Sequence, residues 1–386
     1  MTSVDRWLLP DGVDEILPPE AANLERTRRC LLDHFNSWGY QYVIPPMIEF
    51  LESLLTGTGT DLDLKTFKLT DQLSGRMLGI RADITPQVAR IDAHSLPKEG
   101  VQRLCYAGTV LQTRPDHMLA SRTPIKAGAE LFGDTGPEGD LEIVSLMLDS
   151  LMSLGLEELH LELGDVGIFH QLLDLAALDS RDEQRLFDLL QQKSADLKPA
   201  LDALDLNETL VAQLGGLPAL TGNRSVLEKA RTVFAETPII QERISQMQFL
   251  AARIQERFPE VTIHFDLSEL RGFKYHTGLV FACYDPAGDV LAKGGRYDHV
   301  GEVFGRSREA TGFDVDVKTL AQCRPAENEK SQRVRVNPSA GDALARWQQV
   351  RQYRAEGFSV VEGLPDAEHY DFELDFVGDD WVLKRL

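Results

Sequence analysis

The β-prone and helix-prone stretches of this chain do not alternate, and that order limits its fold more than any other feature. β-rich runs follow one another directly: 66–70 and 76–80 flank the turn-forming 71–75, and 101–111 and 125–132 flank a polar loop holding Arg114, Pro115, Asp116, His117 and Arg122. Strands joined so closely pair antiparallel, whereas a doubly wound parallel sheet needs a helix between successive strands. Gly-x-Gly-x-x-Gly, Gly-x-x-x-x-Gly-Lys-Ser/Thr, Gly-x-Ser-x-Gly and His-Glu-x-x-His are all absent, which removes the commonest nucleotide, hydrolase and zinc-protease sites.

Helical spacing appears in separate blocks. Leu24, Cys30, Leu31, Leu32, Phe35 and Trp38 fall on one face of a helix over 18–38, with Gly39 as its stop. Residues 40–44 read as a short strand closed by Pro45 and Pro46, and 47–55, 85–93 and 137–154 as helices. A strand at 159–163 precedes a pattern that is helical almost throughout 165–258, and strands resume at 261–265, 279–284 and 290–293. Residues 321–331 turn polar and charged, as a linker does. Strand, helix and three strands follow. The expectation is an α+β protein: an antiparallel sheet flanked by helices over 1–320, with a helical insertion at about 165–258, a linker at 321–331 and a small α/β domain at 332–386.

Charge and cysteine content narrow the setting. Forty Lys and Arg against 61 Asp and Glu leave a net charge of −21, a field that opposes phosphate polyanions and anionic membranes unless a local basic patch overrides it. Cys30, Cys105, Cys283 and Cys323 stand far apart, so no zinc site or redox pair is written here and reduced thiols are expected. Asp5, Asp11, Asp14 and Glu15 interrupt the first residues as no signal-peptide core would allow, and no apolar run approaches the roughly 20 residues of a membrane helix. A cytoplasmic chain with no bound metal and no membrane contact is expected.

Three polar clusters fall on strands or strand ends. Arg81-Ala82-Asp83-Ile84-Thr85-Pro86-Gln87 puts an acid and a hydroxyl at a strand-to-helix junction, where they could accept from a ligand's ammonium or merely cap the helix. Lys126-Ala127-Gly128-Ala129-Glu130-Leu131-Phe132-Gly133 carries Glu130 inside an apolar run, either partnered in a buried site or facing solvent from an edge strand. Its small residues at 127–129 are expected to let a ligand approach the sheet. Leu270-Arg271-Gly272-Phe273-Lys274-Tyr275-His276-Thr277-Gly278, followed by Ala292-Lys293-Gly294-Gly295-Arg296-Tyr297-Asp298, interleaves glycines, aromatics and cations. That mixture builds either a pocket with stacking faces and a guanidinium for a carboxylate, or a turn-rich surface.

Together these segments resemble histidyl-tRNA synthetases. Arg271-Gly272 with Tyr275 to Gly278, and Gly294 to Asp298, are similar to that family's two histidine-specific signatures. Arg81 to Thr85 is similar to its Arg-Pro-Glu-Gly-Thr segment, with Asp83 at the Glu, and Gly128 to Gly133 to its Gly-Val-Glu-Val-Phe-Gly strand. Gly39-Tyr40 through Pro45-Pro46 and Glu49 resembles the first class II motif, which implies a class II synthetase-like fold and a homodimer paired around 36–49. The likeness runs from about 9 to 320.

Departures from the family pattern redirect the expected function. Gln112 stands where class II synthetases place the arginine that grips the ATP α-phosphate, and Thr319 where the third motif has its phosphate-clamping arginine, while Asp316 adds a negative charge. Two lost guanidiniums and a gained carboxylate remove the electrostatic support that adenylation requires. About 60 residues follow the linker, and Glu362, Asp366, Glu368, Asp371, Glu373, Asp375, Asp379 and Asp380 make them acidic, so no tRNA partner is expected. This combination resembles the regulatory subunits of ATP phosphoribosyltransferase. The resemblance implies a non-catalytic chain without cofactor, partnered with the short-form catalytic subunit in a larger hetero-oligomer, with histidine as effector. Its candidate histidine-binding residues are Asp83, Thr85 and Lys126 with Glu130, the two carboxylates taking the ammonium; Arg271 for the carboxylate; and Tyr275 or His276 for the imidazole. Enzymatic alternatives, a divergent synthetase or an enzyme activating histidine for another acceptor, have Gln112 and Thr319 against them.

Overall fold

The computed structural model describes residues 7–56, 60–96, 99–115, 120–324, 332–362 and 369–386. Its strands in chain order are β1 (Gln41–Tyr42), β2 (Ile48–Phe50), β3 (Phe67–Thr70), β4 (Met77–Ile80), β5 (Gln102–Thr109), β6 (Ile125–Phe132), β7 (His160–Asp165), β8 (Thr221–Gly222), β9 (Thr262–Asp266), β10 (Leu279–Tyr284), β11 (Val290–Arg296) and β12 (Ala310–Asp316). Nine of them form one sheet in the order β1-β5-β6-β12-β11-β10-β7-β9-β8, and β2-β4-β3 form a smaller one. From β5 to β7 every pairing is antiparallel. The sheet is nevertheless mixed, because β1 runs parallel to β5 and β7 parallel to β9. The helical block between β7 and β9 supplies the crossover that a parallel neighbour needs.

One face of the sheet carries the main core. Helices Glu20–Ser37 and Pro137–Ser153 pack there, through Leu31, Leu32 and Phe35 of the first and Ile143, Val144, Met147 and Leu151 of the second. On the other face a smaller cluster of Ile84, Val88, Leu104, Tyr106, Val110 and Tyr297 leaves part of the sheet uncovered. The helices of 166–257 extend the main core through such residues as Leu172, Leu201, Leu214 and Ile244. Asp165 starts that block by accepting from Gly167 N at 2.8 Å as the helix N-cap.

Two elements differ from the sequence expectation. Residues 47–55 were expected to be helical throughout, but β2 occupies their first half, pairing Ile48 with Ile80 and Phe50 with Leu78, before the helix Leu51–Leu55. Sheet pairing, which local periodicity does not register, decides the backbone there. The helix Thr85–Arg90 continues as a π-turn over Ile91–Ser95. Residues 57–59, which follow helix Leu51–Leu55, and most of the linker lie outside the described residues.

Met1–Pro325 and Ala326–Leu386 are separate compact units. In the second, β13 (Arg333–Val336) lies parallel to β14 (Ser359–Val361) and β15 (Phe372–Val377), and β16 (Asp380–Arg385) pairs antiparallel with β15. Helix Ala343–Ala355 supplies Val350 to a core with Val334, Val336, Val360 and Leu374. Arg335–Glu373 and Lys384–Asp375 ion pairs cross the strands. Among the described residues, no helix is long and apolar enough to cross a membrane.

The register of the large sheet positions the site. Glu130, Gly312, Gly295, Val280 and Gly164 form one row across β6, β12, β11, β10 and β7, and Gly128, Asp314, Lys293, Ala282 and Glu162 form the next row on the same face. Ala127 and Ala129 alternate to the opposite face and are fully buried in the core. Gly128 is needed because Tyr106, its β5 neighbour, lies over it. An added Cβ would sit 2.5 Å from the Tyr106 hydroxyl and 2.6 Å from the Phe313 carbonyl oxygen. Gly128→Ala should therefore lower unfolding free energy by about 1–3 kcal/mol, the usual range for overpacking. Urea denaturation checks this, and an unchanged midpoint would mean that the β6–β12 pairing can shift to accept the methyl group.

Candidate functional site

Apart from Gly128, which Tyr106 covers, the two rows of small and charged residues form the floor of a cavity of about 290 Å³, in the size class of a small-ligand site. Asp83, Thr85, Glu130, Arg271, Tyr275 and His276 all line it. Three segments distant in sequence thus converge, and the turn-rich-surface alternative for 270–298 falls away.

Glu130 settles the nature of the cavity. It lies on an interior strand and is 1% exposed, which excludes the edge-strand alternative. Thr85 Oγ1 and the Tyr106 hydroxyl donate to its Oε1 at 2.9 and 3.2 Å, and the Tyr297 hydroxyl donates to Oε2. Burial pushes its pKa up to about 8 against the hydrogen bonds from Tyr297 and Thr85, and the nearby charges of Asp83 and Asp314 push the same way. Glu130 is therefore mainly a neutral acid at pH 7, and a cation beside it would favour its ionised form. Gly312 faces it across the strand pair because any Cβ there would run into the Glu130 carboxyl group.

Thr85 does not cap the helix that it begins. Its hydroxyl serves Glu130 and Tyr106, while Asp83 Oδ1 accepts from the backbone of Ile84 at 2.6 Å. Burial raises the Asp83 pKa, reinforced by Asp314 and countered by Lys126. Lys126 does not line the cavity: its ammonium is 2.5 Å from Asp314 Oδ1, and this pairing keeps it charged despite burial.

At the other end, Arg271 Nη2 is held by Glu162 Oε1 at 2.8 Å, Glu269 Oε2 at 2.9 Å and the Tyr284 hydroxyl at 2.7 Å. Gly272, at φ +66°, turns the chain so that Tyr275 N and His276 N both donate to its carbonyl at 2.7 Å. That turn stacks Tyr275 on Tyr297, with centroids 5.1 Å apart, and sets His276 over Gly295. Burial pushes the His276 pKa down to about 4, so its imidazole is neutral. Among the described residues the Tyr275 hydroxyl is buried with no hydrogen-bond partner, a costly state that a polar ligand would relieve, while the His276 ring lies against the backbone of Arg271 and Gly272, which opposes the fall in its pKa.

Several sequence expectations find other roles. The small residues at 127–129 do not open the sheet to a ligand, since the alanines face the core and Gly128 is covered by Tyr106. Arg296 is not offered to a ligand carboxylate. It binds Asp140 at 3.0 Å and the Gly136 carbonyl, tying β11 to the start of helix Pro137–Ser153. In the polar loop, Arg122 donates to the Gln112 and Asp11 carbonyls, and Asp116 and His117 lie outside the described residues. Gln112 is buried and Thr319 half-buried on helix Val317–Cys323; neither lines the cavity. Sequence reasoning missed Glu162, Glu269, Lys293 and Asp314 as cavity residues. Glu162 carried a usable signal, an acid within the apolar strand Leu-Glu-Leu, the same pattern that singled out Glu130.

A family model described as histidyl-tRNA synthetase matches residues 12–320. Over 367 residues the chain is 51% identical to the ATP phosphoribosyltransferase regulatory subunit of Pseudomonas savastanoi pv. phaseolicola, an alignment covering 95% of this chain and 92% of that protein. The chain belongs to the family of ATP phosphoribosyltransferase regulatory subunits. This is the histidyl-tRNA synthetase-like family of histidine biosynthesis, whose members are the non-catalytic partners of a catalytic subunit. The counterpart in Pseudomonas fluorescens is also 51% identical, over 371 residues covering 95% of this chain and 92% of that one. Among solved structures, an ATP phosphoribosyltransferase regulatory subunit/histidyl-tRNA synthetase from Bacillus halodurans is similar at a TM-score of 0.81 and 28% identity, over 93% of this chain and 94% of that one. Histidyl-tRNA synthetase from Nostoc shares the fold at a TM-score of 0.75 and 15% identity, over 95% and 91% of the two chains.

The raised pKa of Glu130 has a consequence for stability. Between its ordinary value near 4.5 and its folded value of about 8, the folded chain holds a proton that the unfolded chain has released, so stability falls as pH rises through that window. Glu130→Gln removes this dependence. Thermal melts from about pH 5 to about pH 8 should show a smaller decline for the variant than for wild type, and parallel declines would place the titrating group elsewhere.

Proposed function

We propose that this chain activates the short catalytic subunit of ATP phosphoribosyltransferase and conveys feedback by histidine bound in the cavity around Glu130. The observation that carries the reading is one constellation: the Glu130 and Asp83 carboxylates suited to an ammonium, with the His276 ring and the Tyr275 hydroxyl, which has no partner among the described residues, beside them. An amino acid with a polar ring answers all of these groups at once. Glu130 and Asp83 take the ammonium, Thr85 holds Glu130 in place, Lys126 restrains Asp314, and Tyr275 and His276 face the ring. Arg271 closes the far wall.

Nucleotide chemistry has lost its supports in the same core. Gln112 and Thr319 leave a triphosphate without guanidiniums at the two positions where the synthetases have them, and Asp316, which caps helix Val317–Cys323 by accepting from Lys318 N at 2.9 Å, puts a carboxylate next to that region. Residues 1–320 act as the effector-binding core and 332–386 as a separate acidic unit with no tRNA to read. Tyr42, Ile44, Met47 and Ile48 all present exposed side chains in the segment expected to pair two copies, and Ile44 is 77% exposed. Their exposure supports a homodimer within the larger complex.

Three outcomes are expected. Histidine-dependent pyrophosphate exchange into ATP should stay at background; exchange at a synthetase-like rate would restore the enzymatic reading. Sedimentation of the isolated chain should give a dimer, against a monomer mass of 43.1 kDa. In the complex with the catalytic subunit, Glu130→Ala should raise the histidine concentration for half-inhibition of phosphoribosyl transfer roughly thirtyfold or more, since breaking a buried charge pair costs about 2–5 kcal/mol. An unchanged inhibition curve from an assembled, activated complex would move the feedback site away from this cavity.

A further inference from the structure

Resting on the reading of the cavity as an amino-acid site, we infer that Lys293 receives the ligand's α-carboxylate and is the residue by which the site distinguishes an amino acid from its decarboxylated or reduced analogues. Arg271, the guanidinium expected for that role, is already held by Glu162, Glu269 and the Tyr284 hydroxyl. It is also in the wrong place. Glu130 on β6 and Glu162 on β7 are four strand steps apart, roughly 19 Å at about 4.8 Å per step. The ammonium and carboxylate of an amino acid share one carbon and lie within about 4 Å of each other. Even with both glutamate side chains leaning inward, a ligand whose ammonium sits at Asp83 and Glu130 cannot put its carboxylate on a guanidinium bound to Glu162.

Lys293 meets the requirement. It lines the cavity from β11, two strand steps from Glu130, on the row that holds Asp314 and Glu162. Asp314 is its direct cross-strand partner and would normally neutralise it, but the Asp314 carboxylate is taken by Lys126 at 2.5 Å. No hydrogen bond or ion pair holds Lys293 among the described residues. Its cationic charge already reaches the interior, where it helps burial to depress the His276 pKa. Asp314, in turn, is close enough to raise the Asp83 pKa. Lys293 thus stands one strand step from Asp314 and two from Glu130, within a long side chain's reach of where a carboxylate bonded to the same carbon as the bound ammonium would emerge. A long, partly solvated lysine suits this position better than a buried arginine, since it can follow the ligand as it enters.

Calorimetric titration of the full-length chain with histidine and with histidinol, which keeps the ring and ammonium but lacks the carboxylate, tests the assignment. Wild type should prefer histidine by about two- to fivefold, the worth of a partly exposed charge pair. Lys293→Met should lose that preference by weakening histidine while leaving histidinol unchanged or improved, and Lys293→Arg should restore it. A wild-type chain that binds both ligands equally, or a Lys293→Met chain that keeps the wild-type ratio, overturns the assignment while leaving the cavity a histidine site. Failure of wild type to bind either ligand overturns the amino-acid reading itself, and the assignment with it.

Discussion

A carboxyl group in the middle of a sheet has to be answered by its surroundings, and much of the first unit is arranged around Glu130. Its interior strand denies it water, so Thr85, Tyr106 and Tyr297 supply hydroxyls. Gly312 gives its carboxyl group space across the β6–β12 pair, and Gly128 admits the Tyr106 ring that reaches it. Tyr275 stacks on Tyr297, and the turn at Gly272 that places Tyr275 also places His276. Burial keeps the acid mainly neutral at pH 7, and among the described residues the Tyr275 hydroxyl beside it has no partner.

The second constraint is charge. Across the cavity floor the strand register lines up Asp314, Lys293 and Glu162, with Lys126 reaching Asp314 from the next row. Glu269 and Glu162 together hold Arg271. Such a surface suits a zwitterion, which meets both signs at short range, and opposes a triphosphate, which brings several like charges to a site already rich in carboxylates. On the same proposed reading, Gln112 and Thr319 in place of arginines act in the same direction. On that reading, a class II core keeps a place for an amino acid while giving up the groups that would activate it, as a subunit that senses rather than catalyses would.

Much of this was legible in the sequence because it rests on local pattern. The helix at Glu20–Ser37 announces itself by apolar spacing and Gly39, the β3–β4 hairpin by its turn residues, and Glu130 by being an acid in an apolar run. What escaped depends on pairing between distant segments. β2 is a strand only because β4 lies beside it, and the mixed character of the sheet follows from β7 meeting β9 across a long helical insertion. Arg296 and Lys293 share a segment that read as either a pocket or a surface; only the fold shows Asp140 against Arg296 and Lys126 on the carboxylate that faces Lys293. The residues of a site can thus be read from composition and motif, whereas the assignment of each cation to a partner requires the register.

The account stands most directly on the protonation of Glu130. Histidine binding measured by calorimetry near pH 7 in buffers of different ionisation enthalpy reports the protons exchanged. A neutral Glu130 that ionises against the incoming ammonium predicts release of nearly one proton per histidine bound, falling toward zero in Glu130→Gln. Binding with no proton release in wild type, or with the same release in the variant, would contradict it.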